Sequence, residues 1–511
     1  MHTVMDRAAT QIRVPTAAME DQALYVRGLQ ALRHGAPEEA VSLLIRTLRR
    51  QPEHRGVRRN LVRALLMAER FAEVLFHANA ALAETPDDAE LRFALGTALN
   101  ALGEHSRACA AFARALSLRP DHAASWLNMG NASADLDDLT SAETLYRTAL
   151  RLDPAMAEAH ASLGYILTMQ GDPTAAIEAC EAAIRLRPDF AEAHWNLAIA
   201  LLLSGDLRRG FAEYEWRKRH PRYRLDFPGL PGSVWDGAGP AGRTILVRAE
   251  QGFGDAIQFA RYLPMIREAG GVPILLCAPG LVPLMQTMPG VRAVSVLDPL
   301  PAYDFWIDQS SLPSAFGTTL ASIPAPDHYL SSDPVRTEAW RTRLPDGPKI
   351  GIALVGNPKH PADRRRSIPP DLTGLLTTIP GVRFVNLQHG DAARGIGLWN
   401  LTQWMTDYAE TAALIQNLDL VISVDTSVAH LAGALGKPVW LLLAHAPDWR
   451  WLLGRSDSPW YRPVRLFRQS TPDDWAGVFA RVRQELCDAG IFNATETESR
   501  PPASLSKTQA E

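Results

Sequence analysis

Small, large and proline positions recur along the first two hundred residues at one interval. Prolines stand at Pro52, Pro86, Pro120, Pro154 and Pro188, each 34 residues from the last. Small residues keep the same interval at Gly28, Gly96, Gly130 and Gly164, with Val62 and Ala198 in the remaining slots. Twelve positions on come Ala40, Ala108, Ala142 and Ala176, and four after those the large Leu44, Phe112 and Tyr146. Each unit reads as two antiparallel helices. The small residues permit a close crossing, the large ones fill the gap, and the proline ends the second helix. Five complete units run from Asp21 to about residue 190, and a sixth begins at Ala191 and drifts after Gly205. Beyond it, short apolar runs alternate with helical stretches. Strands are predicted at Thr244–Arg248, Val272–Cys277, Val294–Leu297, Lys349–Val355, Arg383–Leu387, Leu420–Ser423 and Val439–Leu443. Helices are predicted at about 256–269, 408–417, 427–435 and 473–489.

A 34-residue period with this grammar resembles the tetratricopeptide repeat. One such unit cannot bury its own apolar face, so neighbours stack into an α-solenoid whose concave groove takes, by default, a peptide or protein. The array is assigned to residues 21–220. The strand–helix alternation that follows implies parallel sheets, in two Rossmann-like units at 221–335 and 336–492 with a cleft between them. Residues 316–348 read as the link between these units, and the polar tail 493–511 is expected to be disordered. The fold class is therefore α + α/β. The basic run Arg217-Lys-Arg-His-Pro-Arg-Tyr-Arg224 reads as a solvated linker, with a phosphate or partner contact as the alternative.

Composition narrows the function classes. Lys plus Arg is 52 and Asp plus Glu 56, a formal net charge of −4, so nothing demands a nucleic acid or an acidic membrane as partner. The four cysteines, Cys109, Cys180, Cys277 and Cys487, form no C-x-x-C or Cys/His cluster, which argues against zinc sites and disulfide scaffolds. No secretory signal and no bilayer-spanning run is read, so the expected location is cytoplasmic.

Four candidate sites fall at predicted strand ends. The turn Gln251-Gly-Phe-Gly-Asp255 joins a strand to a helix, where glycine lets backbone approach a ligand. It is no dinucleotide fingerprint, because Ile257 holds the third glycine position. Asp255 is either a helix cap or a catalytic carboxylate. Asp425-Thr-Ser-Val-Ala-His430 opens a helix after an apolar strand, an arrangement suited to a phosphate, with Thr426 and Ser427 as hydroxyl donors. The alternative makes Asp425 or Thr426 a cap and His430 a packed histidine. Gly356-Asn-Pro-Lys-His360 with Arg364-Arg-Arg-Ser-Ile-Pro369 brings Asn357, Lys359, His360, Arg364 and Arg366 to the carboxyl edge of a sheet, where Lys359 and the arginines can neutralise a diphosphate. Leu387-Gln-His-Gly390 adds Gln388 and His389. The tryptophans Trp449, Trp451 and Trp460 read as packing or as stacking platforms. The D-x-D at Asp135-Leu-Asp137 falls inside a repeat and reads as a turn, so no metal is expected.

These motifs occur in a fixed order. Trp235-Asp-Gly, Gln251 to Tyr262, Gly356 to His360, Arg366 to Pro369, Asp425 to His430, Asp448-Trp-Arg-Trp451 and Ser458-Pro-Trp-Tyr461 resemble bacterial tetratricopeptide proteins fused to a heptosyltransferase-like (family 9) glycosyltransferase domain. The resemblance covers about residues 21–490. It implies a GT-B fold, with the acceptor on the first Rossmann-like unit and a nucleotide sugar, as co-substrate, on the second. It makes Asp255 the general base, places the Lys359 loop toward the donor phosphates, and makes Asp425 to His430 the donor motif. Ser427 stands where those enzymes commonly carry glycine. A single base and no covalent nucleophile imply inversion without a metal or other cofactor. The implied partners are a nucleotide sugar, a glycan or protein acceptor, and a protein in the repeat groove. The competing expectation is a scaffold whose transferase half only recognises nucleotide or glycan.

Overall fold

The computed structural model describes residues 17–358, 363–377, 379, 381–388 and 398–488. Lys359, His360, His389 and the tail 493–511 lie outside them. By its contacts the chain divides into two compact units. One is Met1–Ile166 with Arg185–Pro188, and the other is Leu167–Ile184 with Asp189–Glu511. The division therefore runs through the fifth repeat, not at the change of composition near residue 220.

The array is built from the helix pairs α1 (Ala17–Arg33) and α2 (Pro37–Arg50), α3 (Arg55–Met67) and α4 (Phe71–Glu84), α5 (Ala89–Ala101) and α6 (His105–Leu118), and α7 (Ala123–Asp135) and α8 (Leu139–Leu152). They continue as α9 (Ala157–Gln170) and α10 (Pro173–Leu186), then α11 (Ala191–Ser204) and α12 (Leu207–Tyr214). The repeat grammar has a direct physical cause in the first unit. A Cβ on Gly96 would lie 2.7 Å from the Phe112 ring, and one on Gly130 2.5 Å from the Tyr146 ring, so the large residue of each second helix packs on the bare backbone of the first. Ala40, Ala108 and Ala142 are fully buried at the same crossings. Each proline follows its second helix by two residues, and its carbonyl has a further use. Pro86, Pro120 and Pro154 accept hydrogen bonds from the side chains of Arg92, Trp126 and His160, each six residues on. Asp135 ends α7 and Asp137 takes a positive φ in the turn, in keeping with the turn reading of that D-x-D.

The second unit contains two five-stranded sheets, all parallel. The first joins β1 (Ser233–Val234), β2 (Thr244–Arg248), β3 (Val272–Cys277), β4 (Arg292–Ser295) and β5 (Phe305–Asp308) in the order β1-β5-β2-β3-β4. The second joins β6 (Lys349–Ala353), β7 (Arg383–Asn386), β8 (Leu420–Val424), β9 (Val439–Leu443) and β10 (Val464–Arg468) in the order β10-β9-β8-β6-β7. Chain direction across the sheet reverses between β2 and β5 in the first and between β6 and β8 in the second. Ligands of open parallel sheets sit at such points, beyond the carboxyl ends. Both faces of β8 are buried: Val421 joins the core shared with the first sheet and the last repeat, and Ile422 the core under the final helix, Trp475–Asp488. That is why this strand reads as an apolar run interrupted only by Ser423.

Several elements depart from expectation. β4 lies two residues before its predicted place, because Asp298 accepts from the Ser295 amide (3.2 Å) and closes a turn there. Val296 and Leu297 are consequently exposed. β1, β5 and β10 were not predicted. The expected helix 256–269 is two helices, Phe253–Phe259 and Leu263–Glu268, separated by a tighter turn, with Pro264 at the start of the second. The expected link 316–348 holds the helix Pro334–Arg341, capped by Asp333. Among the described residues no helix is long and apolar enough to cross a membrane.

Candidate active site

The two sheets present their carboxyl ends to one another through the helices that follow β2 and β8. Gly254 meets His430 so closely that a Cβ there would lie 2.9 Å from the imidazole Cδ2, and Ser427 Cα is 3.6 Å away. The glycine is required by this approach. Asp255 lies one residue on. Its Oδ2 accepts from the Gly252 amide at 2.9 Å, which is a cap, and its Oδ1 pairs with Arg450 of the other sheet's loops. The cap reading of Asp255 is thus seen directly, and its second oxygen is held by a guanidinium. Arg450 is nearly buried and also donates to Asp448 Oδ1 (2.8 Å) and to Gln258. Burial alone would favour loss of its proton, but Asp448 and Asp255 hold the guanidinium firmly charged. Arg450 has no role of its own in the sequence reading, where the motif Asp448-Trp-Arg-Trp451 is read through its tryptophans.

The second cluster surrounds Asp425. Burial works against ionisation of this carboxyl, yet the hydrogen bond and charge of His430 hold it at about 2. His430 Nε2 stands 3.6 Å from Asp425 Oδ1, and its Nδ1 shares a 2.9 Å hydrogen bond with the Tyr461 hydroxyl. The imidazole stacks on Trp451. It is packed, as the structural alternative required, and it is also tied to the acid. Thr426 caps the helix Ser427–Ala434 by position, and its hydroxyl bonds Ser423 Oγ (3.1 Å) instead of a helix amide. Ser427 Oγ bonds the Tyr408 hydroxyl at 2.6 Å. The first amides of this helix have no partner from within it, by the geometry of any helix start.

Arg366, Gly356 and Gln388 fasten loops. Arg366 donates through Nε to Asp363 (3.1 Å) and through one terminal nitrogen to the Asp425 carbonyl (3.0 Å). Gly356 leaves no room for a Cβ against Asp363 and Arg366, and its amide donates to Ser367 Oγ at 2.8 Å. Gln388 Oε1 accepts from the Leu354 and Val355 amides at 3.2 Å each, tying the end of β7 to that of β6. Arg364 and Asn357 are exposed. Lys359, His360 and His389 fall outside the described residues. Trp449 and Trp460 are buried in an aromatic cluster with Phe211 and Phe259, and Trp451 is buried against His430 and Tyr461. The Gln251 side chain donates to Tyr214 and Ser310.

A group of buried charges lies where β2 and β5 end. Arg217 is 1% exposed and donates to Glu250 (3.2 Å), Ser311 (2.7 Å) and Glu215 (2.8 Å). Arg248 pairs with Asp308 at 2.6 Å, and the Tyr223 hydroxyl donates to the same carboxylate. Burial pushes Glu250 upward while Arg217 pulls it back. The basic run is thus not a solvated linker at Arg217: its charge is answered by an acid 33 residues further on. Local composition cannot reveal such a partner.

The structure thus defines a class: tetratricopeptide repeats joined to two parallel α/β sheets whose loops converge. Comparison with known proteins agrees. Tetratricopeptide repeat models match residues 31–95, 77–126, 127–189 and 170–215. The model of glycosyltransferase family 9 (heptosyltransferase) matches residues 405–451, a segment holding Tyr408, the Asp425 to His430 turn and Arg450. Protein FlbA of Caulobacter vibrioides is 30% identical over 52% of this chain and 49% of its own length, so the chain spans about half the length of that relative. Among solved structures, a thermophilic tetratricopeptide protein of Thermus thermophilus shares 23% identity over 36% of this chain and 99% of its own, with a TM-score of 0.31. A tetratricopeptide protein from Parabacteroides merdae shares 16% over 40% and 86%, with a TM-score of 0.35. The chain combines tetratricopeptide repeats with a segment of glycosyltransferase family 9 type.

Proposed function

We propose that the chain is an inverting, metal-independent glycosyltransferase that moves a sugar from a nucleotide sugar to a glycan or protein acceptor, with the repeats engaging a protein. The observation that carries this reading is the meeting of Asp255 with Arg450 and of Gly254 with His430, at the facing carboxyl ends of both sheets. Asp255 takes the proton of the acceptor hydroxyl as that oxygen attacks the anomeric carbon and the bond to the nucleotide phosphate breaks. Each Asp255 oxygen has a second lone pair beyond the one used by Gly252 or Arg450. The leaving phosphate gathers charge, which the start of the helix Ser427–Ala434 is suited to stabilise, while Arg450, bonded through every guanidinium nitrogen to Gln258, Asp448 and Asp255, holds the two loops together beside it. Asp425 holds His430 across the turn, so that the helix start keeps one shape. The family 9 match over this turn supports the assignment.

The test is transfer of labelled sugar from purified donors by the wild type and by Asp255→Asn. The reading expects a loss of at least about a hundredfold in kcat with donor binding retained. An unchanged rate refutes Asp255 as the base. One observation favours the scaffold reading: both oxygens of Asp255 are already engaged within the protein. That reading expects no transfer from any donor.

A further inference from the structure

The last repeat is bonded into the loop that carries Asp255. Helices α11 and α12 belong to the same compact unit as both sheets. Tyr214 ends α12, and its hydroxyl accepts a hydrogen bond from Gln251 Nε2 at 3.1 Å. Arg217, three residues on, donates to Glu250, the residue just before Gln251. Gln251 itself has a φ of +70°, a left-handed conformation that a residue with a Cβ keeps only when its surroundings impose it. Here the side chain supplies the constraint, since Nε2 reaches both Tyr214 and Ser310 Oγ (3.3 Å). The turn from Gly252 to Asp255 starts from that fixed point.

We infer that Tyr214 is a positioning residue: through Gln251 it sets the pose of the Gly252–Asp255 turn, and the final helix pair of the array is therefore a working part of the acceptor side. The catalytic consequence rests on the reading of Asp255 as proton acceptor, whereas the positional one does not. Tyr214→Phe in the full chain keeps the ring that stacks on Trp195 and lies under Arg217, and removes only the hydroxyl. Hydrogen exchange measured by mass spectrometry over residues 249–256 should then run about tenfold faster with the melting temperature unchanged. Tyr146→Phe, which deletes a hydroxyl bonded to Asn131 in the array, should leave that loop as in the wild type. Gln251→Ala should give the same acceleration as Tyr214→Phe, and the double variant no more than either, because one bonded pair is lost only once.

Where transfer is measurable, Tyr214→Phe should lower kcat about tenfold and leave the KM for the nucleotide sugar unchanged. Unchanged exchange over 249–256, or strictly additive effects in the double variant, overturns the positioning role. Faster exchange with an unchanged kcat overturns its catalytic consequence. Absence of transfer from every donor refutes the functional reading instead, and the exchange result still decides the positioning.

Discussion

Replacing Arg217 by methionine removes one charge from a site where no water can replace it. The guanidinium is 1% exposed, and the side chain of its partner Glu250 is fully buried. Breaking such a pair from one side costs about 3–5 kcal/mol, because the surviving charge is left uncompensated. The Glu215 contact adds little, since that carboxylate is a third exposed and keeps Lys218 at 2.5 Å. The methionine stem retains part of the packing against Tyr214 and Tyr223. The expected net loss is therefore about 4 kcal/mol, read as a fall of roughly 6 °C in Tm for a unit of this size. Tryptophan fluorescence during urea unfolding isolates the right unit, since of the 13 tryptophans all but Trp126 lie at or after Trp195. The double variant Arg217→Met, Glu250→Gln should recover at least half of the loss. The sign of the pH dependence is a second check. Burial pushes Glu250 upward and Arg217 opposes it, so without Arg217 the folded state takes up a proton more readily. A carboxyl raised in the folded state destabilises that state at high pH, so the deficit of the single variant should narrow toward about pH 5. A single variant within about 1 kcal/mol of wild type, or a double variant no better than the single, would refute the reasoning.

Three further outcomes are expected. Gly130→Ala drives a methyl into the Tyr146 ring, and overpacking of about 1–3 kcal/mol should exceed the roughly 1 kcal/mol gained in helix propensity, which thermal melting of the array will show as a lower Tm. Asp425, held at about 2 against an unfolded value near 3.8, contributes about 2 kcal/mol that is fully present above about pH 4 and lost as pH falls toward 2; Asp425→Asn should erase that part of the acid-unfolding curve. Gly254→Ala should push the first helix off His430 and weaken nucleotide binding measured by calorimetry, whereas Gly103→Ala, at a turn of the array with open space around it, should not change that binding.

The array was legible because its grammar is local. Glycine, alanine, aromatic and proline recur at fixed offsets, and each offset is a contact within one helix pair, as with Gly130 and Tyr146. The turns bearing Asp255 and Asp425 were legible for a related reason: an apolar strand followed by small and polar residues marks a carboxyl edge. What escaped depends on distant partners. β5 is only Phe-Trp-Ile-Asp, and its terminal Asp308 looks like a loop residue until Arg248 and Tyr223 are beside it. Arg217 read as solvated for the same reason, and Arg450, present within its motif, was assigned no partner. Arg366, expected to face a diphosphate, also fastens its loop to the Asp425 carbonyl, a contact that only side-chain geometry reveals.

The central claim is that the turn from Asp425 to His430 and its surroundings bind a nucleotide sugar. Calorimetric titration of the full chain with ADP, UDP, GDP and their sugars tests it most directly. The account predicts selective binding of one nucleotide, weakened at least about tenfold by Arg450→Gln, which removes the cation that ties Asp255 and the Asp448 loop together beside that turn. A well-folded chain that binds none of them would contradict it.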